Sequence, residues 1–176
     1  MIRKPGLTRA VHQRKEASLK KATINLANSP EKSRQKSNLL LFAKPEQVLA
    51  MSLNMIRSSD CEKKIEGLNF IYDLAQLHPN VLVTRLHDIC IAIDKEVRNL
   101  HSVVSRVALG TMGHLHTHLQ KLMDKELNWT ARALLLKAGD SKALIRQEAN
   151  VALEKMVKNC SPIRVMKALL NNEVIK

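Results

Sequence analysis

Apolar residues recur at helical spacing through most of the chain. Lys44, Pro45 and Glu46 open the first run, the proline suiting an opening helical turn and the acid the positive end of the helix dipole. Val48, Leu49, Leu53 and Ile56 follow on one face, which predicts a helix over Pro45 to Arg57. Ser58, Ser59 and Asp60 stop it and cap whatever follows. From Asn80 to Arg98, the residues Val81, Val83, Leu86, Ile89, Cys90, Ile93 and Val97 make a broad stripe, as expected of one helix packed against both neighbours. A third amphipathic stretch covers Lys125 to Lys137, and Ser161 with Pro162 opens a last helix, Ile163 to Asn171.

The helices between these stretches repeat. Sliding the chain by 41 residues aligns Lys63, Val104 and Ile145; Gly67, Ala108 and Ala149; Ile71, Met112 and Leu153; and Leu74, Leu115 and Met156. The second column holds only small residues, which lets helices approach closely, and the last two are large and apolar on the same face. Each of these helices follows a polar turn: Ser58 to Asp60, Asn99 to Ser102, or Gly139 to Ser141. Helix, turn, helix at this period falls in the HEAT and armadillo range of about 40 to 47 residues. The expected fold is all-α, an α-solenoid of HEAT-type hairpins with about three and a half repeats. The last helix has no partner after it, so the array reads as incomplete.

Composition and charge extend this picture. Four aromatic residues among 176 disfavour a β-sandwich or barrel. No apolar run reaches the roughly 20 residues that span a bilayer, and no signal sequence is evident, which points to a soluble, intracellular protein. Cys61, Cys90 and Cys160 are odd in number and widely spaced, so they read as reduced thiols rather than a disulfide framework or zinc ribbon. The formal charge of +13 is uneven, with residues 1–37 carrying ten basic and two acidic side chains. That segment has few large apolar residues and is expected to be a disordered basic arm, ahead of a folded region from 38 to 176. It would attract polyanions such as acidic protein tails, and equally it would serve as a plain solubilising tail. Electrostatic nucleic-acid binding through the arm is disfavoured because no aromatic residues interleave with its charges.

The segment Ser58-Ser59-Asp60-Cys61-Glu62-Lys63-Lys64-Ile65-Glu66-Gly67-Leu68-Asn69-Phe70-Ile71 closely resembles the first inter-helix turn and second helix of TOG domains, the tubulin-binding HEAT arrays. It is especially similar to the crescerin group, the TOG array regulators of axonemal microtubules. Phe42 to Glu46, Val104 to Ala108 and Leu144 to Glu148 extend the likeness across residues 38–176, where it corresponds to the N-terminal half of a TOG domain. The resemblance implies a paddle whose intra-repeat turns line one edge and bind tubulin without catalysis, regulating microtubule organisation or polymerisation. Its setting would be the cytoplasm and cytoskeleton, with the cilium or axoneme as the specific place. The residues that it places on the turn edge are Ser59, Asp60, Cys61, Lys63, Lys64, His101, Ser102, Arg106, Ser141, Lys142 and Arg146. Two departures stand out: Cys61 occupies the position where the family usually presents a tryptophan, and TOG domains have six repeats. These imply a fragment or short isoform, or tubulin binding that is weakened or lost.

Other constellations carry less. His114, His116 and His118 offer two imidazoles one helical turn apart, but no third ligand, and are read as solvent-edge residues rather than a metal site. Lys63 and Lys64 are tubulin contacts or a solvated face. Arg106 and Arg146 either bind tubulin or pair with a neighbouring repeat, for example through Glu148. His101 and Ser102 are contacts or a helix cap. Trp129 is assigned to inter-helix packing. No G-x-S-x-G, Walker loop or H-E-x-x-H motif is present, so neither an enzyme nor a cofactor is expected. A generic HEAT scaffold for another protein is the remaining alternative.

Overall fold

Small and apolar residues at the spacings above build eight α-helices and one 3₁₀ segment in a computed structural model that describes residues 43–173. The expected basic arm, residues 1–37, lies outside the described residues. In chain order the elements are α1 (Pro45–Ile56), α2 (Cys61–Leu77), α3 (Pro79–Val83), α4 (Leu86–Val97), α5 (Ser102–Leu119), a 3₁₀ segment (Gln120–Lys125), α6 (Leu127–Ala138), α7 (Ala143–Asn159) and α8 (Pro162–Glu173). No strand occurs among the described residues, and no helix there is long and apolar enough to cross a membrane.

Consecutive helices pair as hairpins, α1 with α2, α4 with α5 and α6 with α7, and the hairpins stack. Helices α2, α5 and α7 form one layer and α1, α4, α6 and α8 the other. This is an α-solenoid of HEAT-type repeats. Between the layers lie Leu53, Ile56, Leu68, Ile71, Leu74, Ile89, Ile93, Leu109, Met112 and Leu115, each nearly or fully buried. Small residues set the spacing. A Cβ at Gly67 would stand 2.8 Å from the backbone oxygen of Ser52, so α1 and α2 meet at a distance that only glycine permits.

The repeat columns hold with two exceptions, Lys63 and Leu153, the latter half-buried where Ile71 and Met112 are fully buried. Gly67, Ala108 and Ala149 are buried, as are Leu74, Leu115 and Met156, whereas Lys63 is exposed where Val104 and Ile145 are buried. The expected single helix over 80–98 is divided instead. It breaks at Thr84 and Arg85, and the break rephases the stripe so that Leu82 is buried and Val83 exposed. Likewise the third hairpin opens through a 3₁₀ turn, and α6 begins at Leu127 rather than at Lys125. Gln120, at φ 48°, turns the chain out of α5 into that segment.

Candidate functional site

Three short turns join the hairpin helices, and their backbones are built alike. Asp60, His101 and Lys142 are the N-cap residues of α2, α5 and α7, 41 residues apart, with φ of −80°, −76° and −84° and ψ of 121°, 109° and 119°. Two residues earlier, Ser58 Oγ, Asn99 Oδ1 and Asp140 Oδ1 accept hydrogen bonds from the N–H groups of Asp60, His101 and Lys142 at 3.1, 2.9 and 3.0 Å. Short polar side chains that bind their own backbone two residues on are a compact way to turn a chain. This column of serine, asparagine and aspartate is as regular as the apolar ones. It escapes a hydrophobic alignment because its members share only an acceptor oxygen.

A second polar column ties each turn down. Lys64 Nζ donates to the carbonyl of Ile56 at 2.9 Å, and Ser105 Oγ donates to that of Val97 at 2.6 Å. In the third repeat Arg146 Nη1 donates to the carbonyls of Asp140 and Ser141 at 2.9 and 2.8 Å. In the first two repeats these are the last carbonyls of a helix, which have no partner within it and are satisfied by a donor one turn into the next helix; in the third, the donor holds carbonyls of the turn itself.

The turns share one edge because α2, α5 and α7 run parallel and nearly in register. Along α2 and α5, Thr111 Oγ1 reaches the carbonyl of Leu68, and the Tyr72 and His114 rings lie 3.7 Å apart. Along α5 and α7, Gly113 faces Ala152, and His116 Nδ1 lies 3.3 Å from Cys160 Sγ. Counted from the N-caps, paired positions differ by no more than about three residues, or roughly 5 Å of helix. The beginnings of the three helices therefore lie side by side.

Of the residues expected on this edge, Ser59, Asp60, Lys63, His101, Arg106, Ser141 and Lys142 are exposed, while Cys61, Ser102 and Arg146 are half-buried. Lys63, Arg106 and Lys142 take no part in the salt bridges among the described residues. Asp60 caps α2 through Oδ1, which accepts from the N–H of Glu62 at 2.9 Å. His101 holds the cap position of α5 with its backbone alone. Arg146 is engaged by the turn carbonyls rather than by Glu148. Asp140 also accepts from Lys137 Nζ at 3.0 Å; the Lys142 N–H first, and then Lys137, hold its carboxyl below the usual aspartate range.

Lys64 corrects the expectation. Its side chain is buried and paired with the buried Glu96 of the next repeat, whose other oxygen accepts from Asn99 Nδ2 at 2.7 Å. The helical phase of α2 turns Lys64 inward and Lys63 outward, so only one lysine of the pair can meet a partner. The histidine run is corrected too. His116 is fully buried, its imidazole held down at about 4 by loss of solvent, and His114 packs at a tilt against Tyr72 and is likewise lowered to about 4, chiefly by burial. No group of three metal-ligating side chains occurs among the described residues.

Charge alone misses a feature of the edge. Leu100, at the tip of the second turn, is 97% exposed, and Val103 and Leu144, each two positions past the cap of its helix, are exposed as well. The signal was available in the sequence: a leucine inside a polar turn has no core to join. The edge thus combines apolar tips with three unpaired cations.

No protein-family model and no solved structure matches the chain. Curated proteins do, among them the following three. TOG array regulator of axonemal microtubules protein 1 from Homo sapiens is 46% identical over 135 residues, 77% of this chain but 8% of the human protein. Its Mus musculus counterpart is 45% identical over 130 residues, 74% of this chain and 7% of the mouse protein. The crescerin-like protein che-12 of Caenorhabditis elegans is 34% identical over 120 residues, 68% of this chain and 9% of the nematode protein. The chain spans less than a tenth of the length of each. Over the stretch that these proteins match, it belongs to the family of TOG array regulators of axonemal microtubules.

Proposed function

We propose that the turn edge binds tubulin without catalysis, and that the protein contributes to the organisation of ciliary microtubules. The observation that carries this reading is the row of three turns built to one plan on parallel helices, which presents side chains on a rigid base. The names of the relatives supply the class of partner. Tubulin is acidic, and Lys63, Arg106 and Lys142 offer complementary charge that steers encounter and fixes register. Leu100 and Leu144 supply apolar contact area where Cys61 supplies little, so the anchor of this edge is displaced from the first turn to the second and third.

Co-sedimentation with microtubules and binding of free tubulin test the reading. Lys63→Glu with Lys142→Glu is expected to weaken association and its salt dependence, and Leu100→Ser to weaken it about tenfold with little change in salt dependence. Deleting residues 1–37 separates any contribution of the basic arm. Retention of full binding by both edge variants would show that the edge is not the contact.

A further inference from the structure

The outward side of α6 presents chemistry that the turn edge does not use. Helix α6 buries Leu127, Thr130, Ala131, Ala133 and Leu134 against the core. On its other side Trp129 is 55% exposed and Leu136 56%, contrary to the packing role expected of the tryptophan. Leu122, in the 3₁₀ segment that leads into α6, is 49% exposed. These three residues stand seven apart, and Lys125 and Arg132, also exposed and seven apart, lie between them. Within α6, seven-residue spacing repeats one face of the helix, so Trp129 and Leu136 form an apolar seam with Arg132 beside it, and Leu122 and Lys125 stand exposed in the 3₁₀ segment just ahead of it.

The charge on this seam is uncompensated. The two acids in the lead-in are engaged within the fold: Asp124 accepts from the Ser161 N–H and hydroxyl, and Glu126 pairs with His87 at 2.9 Å. On the neighbouring α4, Asp88 and Asp94 pair with Arg85 and Arg98, and Glu96 with Lys64. Lys125 and Arg132 form no salt bridge among the described residues. At one end the seam opens into a groove of about 340 Å³ that Leu122 and Lys125 help to line.

We propose that Leu122, Trp129 and Leu136, with Lys125 and Arg132 beside them, form a docking seam for an amphipathic helix of another protein whose apolar stripe is flanked by glutamate or aspartate. The apolar spacing fits the i, i+7 anchors of a helix laid alongside α6, and tryptophan and arginine are the side chains that most often dominate such contacts. The unpaired cations select an acidic partner and disfavour a second copy of this chain, which would bring like charges together.

Trp129 is the chain's one tryptophan, so its fluorescence reports on the seam directly. The probe is a helical peptide of about 18 residues, long enough to lie along Gln120–Ala138, with leucines seven apart and flanking glutamates. Its controls are a scrambled peptide of the same composition and a version with lysine in place of glutamate. With the full chain, the acidic amphipathic peptide is expected to shift Trp129 emission to the blue and shield it from acrylamide. A Lys125→Glu, Arg132→Glu variant is expected to weaken this about tenfold with an unchanged circular dichroism spectrum. Equal shielding by the scrambled or lysine peptide, or none at about 1 mM peptide, would overturn the proposal. Shielding by phosphatidylserine vesicles but by none of the peptides would overturn it in favour of a membrane-facing strip.

Discussion

The two seams between successive repeats use the same helix geometry and opposite chemistry. Between the first and second repeats the contact is polar: buried Lys64 reaches Glu96, Asn99 completes the group, and Thr111 bonds the carbonyl of Leu68. Between the second and third it is close packing, with Gly113 against Ala152 and Lys155, and His116 buried against Cys160. A solenoid requires only that neighbours bury a continuous core, so each seam is free to reach that end differently. The seams should therefore fail under different perturbations.

The largest effect is expected at the first seam. Lys64→Ala leaves Glu96 as a buried carboxylate with Asn99 alone for company and should cost about 3–5 kcal/mol in urea denaturation. Lys64→Met combined with Glu96→Leu removes both charges and should recover most of that loss, which would show that the pair secures register more than stability. Full stability in the single variant would erase the distinction between the seams.

Acid should act on the second seam. The imidazole of His116 lies at about 4 in the fold against about 6.5 unfolded, so between those values the unfolded chain binds more protons. Stability from this group is intact above pH 6.5 and falls as pH drops toward 4, by roughly 2–3 kcal/mol. His116→Gln is expected to flatten the slope of stability against pH over that window. Persistence of the slope would assign it to other groups, His114 foremost, which is lowered in the same direction.

The smallest of the three effects is steric. A Cβ at Gly113 would lie 3.1 Å from the Cα of Ala152, a backbone atom that cannot swing aside. Gly113→Val should cost about 2 kcal/mol by overpacking, after a small gain in helix propensity. Its thermal transition should broaden or split if the third repeat then unfolds ahead of the first two.

Much of this architecture was legible in the residues. Periodic apolar positions marked α1, α2, α5, α7 and α8, and the 41-residue repeat predicted stacked hairpins and their turns. The breaks at Thr84 and at Gln120 were not legible, because neither site carries the glycine or proline that usually announces one. Lys63 and Lys64 are chemically identical in sequence, and only helical phase separates an exposed cation from a buried ion pair. Trp129 was misplaced for the converse reason: a large apolar residue in an amphipathic stretch is expected inward, and α6 turns it outward.

What the sequence determined by itself was local and periodic: helices, capped turns, and the interval at which both recur. Those follow from backbone hydrogen bonding and from one face of each helix leaving water, which neighbours along the chain suffice to specify. The tertiary structure alone decided which polar residues face a partner and which are consumed within the fold. That choice depends on the carbonyl, carboxylate or cavity that a neighbouring repeat brings within about 3 Å, across separations of 32 residues for Lys64 and Glu96 and 44 for His116 and Cys160.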